Sequence, residues 1–191
     1  MDANKIIEFN KIIRTNNQID YENSELWHCI KKVWNVSDKK AQKLGREYCN
    51  LISFYAVLKA SGNIDDSLYQ FMTYCKNTKW AKDTRKFLLD KDGFLRGKSQ
   101  ICNHYGFKLN KIYCETYNCV EDASGLDDRY FYQMKTNQRF KGFHFMGCYI
   151  ENGTLYTSDS WNRGIAFKTK DKIFKRYKTG RKYFDWLLLI G

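Results

Sequence analysis

The dipeptide Asn152-Gly153 constrains this chain more tightly than any other feature. Phe143-His144-Phe145-Met146-Gly147-Cys148-Tyr149-Ile150-Glu151 precedes it, and Thr154-Leu155-Tyr156-Thr157-Ser158-Asp159-Ser160-Trp161 follows. Asn-Gly between two such runs specifies a two-residue hairpin loop, because both loop residues must take positive φ. With those two as the loop, Glu151 faces Thr154, Cys148 faces Thr157 and His144 faces Trp161. Asp159 then shares a face with His144 on the diagonal, close enough for long polar side chains to meet. The turn alone therefore predicts an imidazole beside a carboxylate, with the Trp161 indole next to both. An imidazole oriented by a carboxylate is half of a nucleophilic site, so a Ser or Cys is expected elsewhere.

Cys49 is the candidate. It opens the run Asn50-Leu51-Ile52-Ser53-Phe54-Tyr55-Ala56-Val57-Leu58-Lys59-Ala60, apolar nearly all round and stopped by Ser61-Gly62. A helix apolar on every side belongs in the middle of a domain. A thiol at its first position feels the positive end of the helix dipole, and a nearby imidazolium further favours the thiolate. Read alone, a Cys in an apolar helix is usually an inert buried thiol; the downstream hairpin is what reverses that judgement. His144 would hold and return the proton, Asp159 would fix the ring, and Trp161 would keep water from their hydrogen bond.

Elsewhere the pattern is helices first and strands second. Residues 3–15 carry Ile6, Phe9 and Ile13 at helical spacing, and Ser24 caps a helix with Leu26, Ile30, Val33 and Trp34 on one stripe. Ser37 caps a short turn from Lys39 to Leu44 that Gly45 closes. Asp65-Asp66-Ser67 starts a helix through Cys75, with its acids in the favourable first turn. Another helix spans 95–105 and ends at Tyr105-Gly106. Strands are expected at Phe107–Tyr113, Tyr130–Met134, the hairpin and Tyr183–Ile190, with exposed loops at 121–129 and 135–141. This order reads as an α+β fold with an antiparallel sheet. At 191 residues the chain is expected to be one domain, 1–191, with a helical extension over 1–36 and a catalytic core over 40–191.

Cys49 and the hairpin also carry a family resemblance. Tyr48-Cys49-Asn50-Leu51-Ile52-Ser53, running into an apolar helix, resembles the nucleophile helix of the papain-like cysteine peptidases. The match is to the branch that includes the bacteriocin-leader peptidases and their bacterial and phage relatives. His144-Phe145 and Asp159-Ser160-Trp161, fifteen residues apart from His to Asp, resemble the second motif of that branch. The likeness spans roughly residues 40–165 and keeps the order Cys, His, Asp. It implies a papain-like fold, a Cys49–His144–Asp159 triad, thioester chemistry on a peptide or peptidoglycan-like substrate, and no cofactor. The family places an oxyanion-hole Gln six residues before the Cys. Here that position is Lys43 and Gln42 stands seven before, so Gln42 takes the role if a one-residue bulge near Gly45 aims it. Ser160 replaces the usual Pro, and polar residues Lys135 to Gln138 interrupt the strand ahead of the His. The alternatives are a cell-wall amidase or endopeptidase, and a basic binding module that kept the fold and lost the reaction.

Composition narrows the setting. The net charge of +12 favours an anionic environment such as nucleic acid, anionic lipid or a wall polymer. The basic and aromatic stretch 168–182 could contact a polyanion, although a solvated surface is the commoner reason for such a run. The seven cysteines are odd in number and scattered, which argues for reduced thiols. Cys102-x-His104 with Cys114-x4-Cys119 offers soft metal ligands, but without paired knuckles; no metal is expected. The N-terminal residues show no secretory signal and the longest apolar run, Trp186 to Ile190, cannot span a bilayer, so a cytoplasmic location is expected.

Overall fold

The computed structural model describes residues 1–62, 64–78, 100–106, 109–112, 126–138, 142–168 and 184–190. Among the described residues the helices α1 (Ala3–Thr15), α2 (Glu25–Trp34), α3 (Asp38–Gly45), α4 (Cys49–Ala60) and α5 (Leu68–Lys76) come first, and residues 100–104 are helical as well. Six strands follow: β1 (Leu109–Ile112), β2 (Tyr132–Gln138), β3 (Gly142–Glu151), β4 (Thr154–Ser158), β5 (Ala166–Lys168) and β6 (Phe184–Ile190). The sheet is antiparallel throughout, in the order β1-β6-β2-β3-β4-β5, so the last strand inserts between β1 and β2. The architecture is therefore helix plus antiparallel sheet, an α+β arrangement.

Local chemistry sets most element ends. The Ser24 hydroxyl accepts from the Leu26 amide at the start of α2, and Asn35, at φ 49°, ends that helix in the left-handed conformation. Ser67 and Gln70 form a reciprocal capping box on α5. Asp65 and Asp66 precede α5 rather than filling its first turn; Asp66 instead accepts the Tyr105 hydroxyl. Ser37 sits at the N-cap of α3 without a side-chain capping bond. At the hairpin, Asn152 (φ 50°) and Gly153 (φ 70°) are both left-handed, and the pairing Glu151–Thr154, Ile150–Leu155, Cys148–Thr157 is the register the turn demands.

Helix α4 is the hub. Leu51, Ile52, Phe54, Ala56, Val57 and Leu58 are wholly buried, each large side chain contributing about 1.5–3 kcal/mol. It packs against α1 on one side and against β3 and β2 on the other. Phe9 of α1 closes the gap to the sheet, stacking on Phe131 and meeting Tyr149 edge-on. A Cβ at Gly147 would lie 2.3 Å from the Phe9 ring, so glycine is what lets α1 approach β3.

Two expectations change. Residues 135–138 are strand rather than loop: β2 runs on to Gln138, paired to β3 through Gln138–Gly142 and to β6 as far as Thr136–Phe184, with a shift between Lys135 and Thr136. Backbone bonding to neighbours on two sides outweighs the low strand propensity of Lys, Asn and Gln. β5 is a strand that sequence reading missed. The expected helical residues 95–99, the loop residues 121–125 and most of the basic stretch 168–182 lie outside the described residues.

Gly45 is not a left-handed stop. It is the last residue of α3, and a Cβ there would fall 1.9 Å from Cζ3 of Trp27. Its glycine is needed for the approach of the indole, not for a bulge. Gly45→Ala should lower stability by about 1–3 kcal/mol through overpacking, against the gain alanine usually brings to a helix. Thermal melting reads this directly; a raised Tm would show that the ring is not seated there.

Candidate active site

The three residues that the sequence singles out for chemistry come together from separate elements. Cys49 is the first residue of α4 and is 8% exposed. His144 lies near the start of β3, buried, and Asp159 follows β4, fully buried. His144 Nε2 and Asp159 Oδ1 are 2.7 Å apart. Cys49 is near enough to act on the imidazole electrostatically. With Nε2 committed to the carboxylate, Nδ1 is the nitrogen left for the sulfur. The result is a thiol–imidazole–carboxylate chain at the positive end of a 12-residue helix.

The hairpin ladder ends before the site. Gly147–Ser158 is its last pair, and Ser160–Asn162 then coil into a single 3-10 turn capped by Asp159. His144 and Trp161 are thus not cross-strand partners, as extrapolating the ladder would have them. The turn instead wraps its amides around the acid. Asp159 Oδ1 accepts from the Trp161 backbone N–H at 2.9 Å, and Oδ2 accepts from Asn162 Nδ2 at 2.7 Å. The defined contribution of Trp161 is therefore its amide; its side chain is half-buried. Asn162 is a supporting residue that the hairpin reading missed, because it becomes relevant only once the chain leaves the strand.

Gln18 was also missed. It is wholly buried in the link between α1 and α2. Its Nε2 donates to the Gly45 carbonyl at 2.7 Å, its Oε1 accepts from the Ser160 hydroxyl at 2.6 Å, and its backbone N–H donates to the Ser160 carbonyl. One amide thus ties the lead-in to Cys49 to the turn that carries Asp159. Nothing in Asn16-Asn17-Gln18-Ile19 distinguishes this from an exposed polar loop.

Gln42 does not join the group. It is exposed on α3 and, among the described residues, makes no side-chain hydrogen bond. It lines an open cavity of about 580 Å³ with Tyr21, Trp27, His28 and Arg163. Since Gly45 is helical, no bulge turns Gln42 toward the sulfur. Of the metal-ligand candidates, Cys102 is buried and His104 stacks on Tyr74 with ring centres 3.9 Å apart; Cys114 and Cys119 lie outside the described residues. No cluster of three or more His, Cys, Asp and Glu among the described residues could hold a metal ion, and no helix among them is long and apolar enough to cross a membrane.

Burial alone would press the His144 imidazole toward neutrality. The Asp159 carboxylate and Cys49 act against it and leave its pKa well above the ordinary 6.5. Burial pushes Cys29 up to about 11 and lifts Cys75 and Cys148 well above the usual thiol range.

Set against known proteins, the chain matches no family model, no curated protein and no solved structure.

The raised imidazole has a signed consequence. His144 keeps its proton below pH 6.5 and loses it only as pH rises through the elevated native value, and its contribution to stability is lost over the same interval. Replacing Asp159 by Asn removes the charge that raises it and leaves the burial that lowers it. The His144 titration midpoint, followed by NMR, should move to lower pH in Asp159→Asn. A midpoint that stays put or rises would show that Asp159 does not sustain the imidazolium.

Proposed function

We propose that this protein is a papain-like thiol hydrolase that cleaves a peptide or related amide bond through a thioester on Cys49. One observation carries the reading: the buried His144–Asp159 pair, 2.7 Å apart, beside Cys49 at the first position of a buried helix. Residues 95 and 110 positions away in sequence meet near Cys49, and the buried acid holds one imidazole nitrogen, which leaves the other for a proton exchanged with the sulfur.

In the acylation step the Cys49 thiolate attacks the substrate carbonyl carbon, and the C=O electron pair moves to oxygen. The backbone N–H of Cys49, unpaired within the helix at its first position, is the donor for that oxyanion. His144 passes its proton to the departing amine as the C–N bond breaks, leaving an acyl thioester. Water then gives a proton to His144 and attacks the thioester. The thiolate leaves with its electron pair, and the imidazolium–thiolate pair is restored. Asp159 holds the ring in position and offsets its charge throughout. The net charge of +12 suits an anionic setting, so a peptidoglycan amide is the second substrate to try beside an unstructured peptide.

Iodoacetamide at neutral pH should mark Cys49 well before Cys29, Cys75 and Cys148, which burial holds protonated. Cys49→Ala and His144→Ala should each abolish amide cleavage and leave the fold intact. Full turnover in Cys49→Ala would end the proposal, and equal labelling of all four thiols would leave a binding module on the same scaffold as the better account.

Gln42→Ala tests the oxyanion assignment. Deleting a true side-chain donor costs on the order of a hundredfold or more in kcat. With Gln42 exposed in the wall of a separate cavity, the variant should lose less than about tenfold. A larger loss at unchanged KM would return Gln42 to the oxyanion hole.

A further inference from the structure

A buried polar cluster lies beneath the first turn of α4, and the chemistry above makes no use of it. Gln133, on β2, is fully buried. Its Nε2 sits 2.8 Å from the Asn50 carbonyl oxygen, 3.2 Å from Asn50 Oδ1 and 2.6 Å from Ser53 Oγ. The Ser53 hydroxyl in turn donates to the Cys49 carbonyl at 2.6 Å. One side-chain amide therefore reaches the nucleophile's own peptide group and the residue after it.

Burying an amide in a core costs about 1–3 kcal/mol unless its hydrogen bonds are made. Here the bonds that Nε2 makes go to the N-terminal end of one helix. Toward its C-terminal end α4 is tied by Tyr55 and Lys59, which donate to the carbonyls of Asp66 and Asp65; most of its other side chains are Leu, Ile, Phe, Val and Ala, and apolar contact is non-directional. Such packing seats the helix without fixing its rotation about its own axis or its slide along it. Directed hydrogen bonds from Gln133 to Asn50 and Ser53 fix both at the N-terminal end, and the Ser53 hydroxyl carries the tie on to the Cys49 carbonyl. The strand that carries them is the neighbour of the strand that carries the base: Gln133 pairs with Gly147, and Thr136, three residues on, pairs with His144. Three residues of strand are about 10 Å, so clamp and base sit close together on one hydrogen-bonded ladder.

We propose that Gln133, acting through Ser53, is the positioning residue of the nucleophile, locking the first turn of α4 to the sheet so that the Cys49 sulfur faces His144. The role rests on the thiol-hydrolase reading for its consequence in turnover, but not for its geometry. A misplacement of about 1 Å at a reacting atom costs on the order of a hundredfold in rate.

The test uses the full chain with two readouts. One is the iodoacetamide rate at Cys49 as a function of pH. The other is the His144 titration by NMR of the ¹³C-labelled ring, its signal assigned with His144→Ala. Gln133→Leu keeps volume and removes the donor; Ser53→Ala breaks the relay and Ser53→Thr keeps the hydroxyl. In folded Gln133→Leu the alkylation rate at neutral pH should fall about tenfold. The His144 midpoint should drop, because it loses the sulfur contact and keeps its burial. Ser53→Ala should move both readouts the same way, and Ser53→Thr should restore them. If Gln133→Leu does not fold, the Ser53 pair decides. Wild-type rates and an unmoved His144 midpoint in Gln133→Leu and Ser53→Ala, or in Ser53→Ala alone where Gln133→Leu does not fold, overturn the proposal. If instead wild-type Cys49 reacts no faster than the same thiol in unfolded chain, the hydrolase reading falls and the His144 midpoints still judge the clamp.

Discussion

A buried carboxylate can stay ionised only where its charge is met on the spot, and Asp159 is wholly buried. Its compensation comes from the His144 ring, the Trp161 amide and the Asn162 side chain. Two of those three belong to the turn that Asp159 itself caps. The local chain thus solvates the acid before any distant element arrives, and the distant element that does arrive is the imidazole. Removing one partner of such a buried pair leaves an uncompensated charge, which is why the geometry of β3, β4 and the turn is held jointly rather than strand by strand.

The turn is anchored in its own right. Gly164, at φ 66°, lies so close to α1 that a Cβ would come within 2.5 Å of the Arg14 amide nitrogen. Gln18 reaches from the end of α1 to Ser160 on one side and Gly45 on the other. Helix α1 therefore supports the acid's turn from behind, through its backbone and through the loop it leads into. The nucleophile helix is held from the other direction, by apolar burial on all sides and by the Gln133 amide under its first turn. The three groups of the site sit on three differently braced pieces. Two buried glutamines, Gln18 and Gln133, provide directional bonds between those pieces.

How much of this was legible follows the range of the forces involved. Asn152-Gly153 determined the hairpin and its register, because a two-residue loop admits few backbone conformations and each fixes the pairing. Ser24 and Ser67 determined helix starts by satisfying amides two or three residues away. The run 50–60 determined that a helix would be buried, and with it that Cys49 would stand at the edge of a core. The same local reasoning failed at Trp161, where a ladder was continued past its end. It failed again at Lys135–Gln138, where polar side chains suggested a loop and pairing with two neighbouring strands made a strand.

What the sequence by itself determined, then, is the hairpin that places His144 and Asp159 on one ribbon, the buried helix that opens at Cys49, and the helices-then-sheet order. Only the tertiary structure decided that Cys49 comes near the ring, that Asn162 and the Trp161 amide hold the acid, that Gly45 is a seat for Trp27, and that Gln42 lines a cavity with Tyr21 and Arg163. The physical reason is the reach of each interaction. Turn conformation, capping and periodicity act within a few residues and are written in neighbouring letters. A buried amide such as Gln133 or Gln18 has the same letter and the same local context as an exposed one; its partners, 83 and 142 residues away in the longest cases, exist only once the chain has folded.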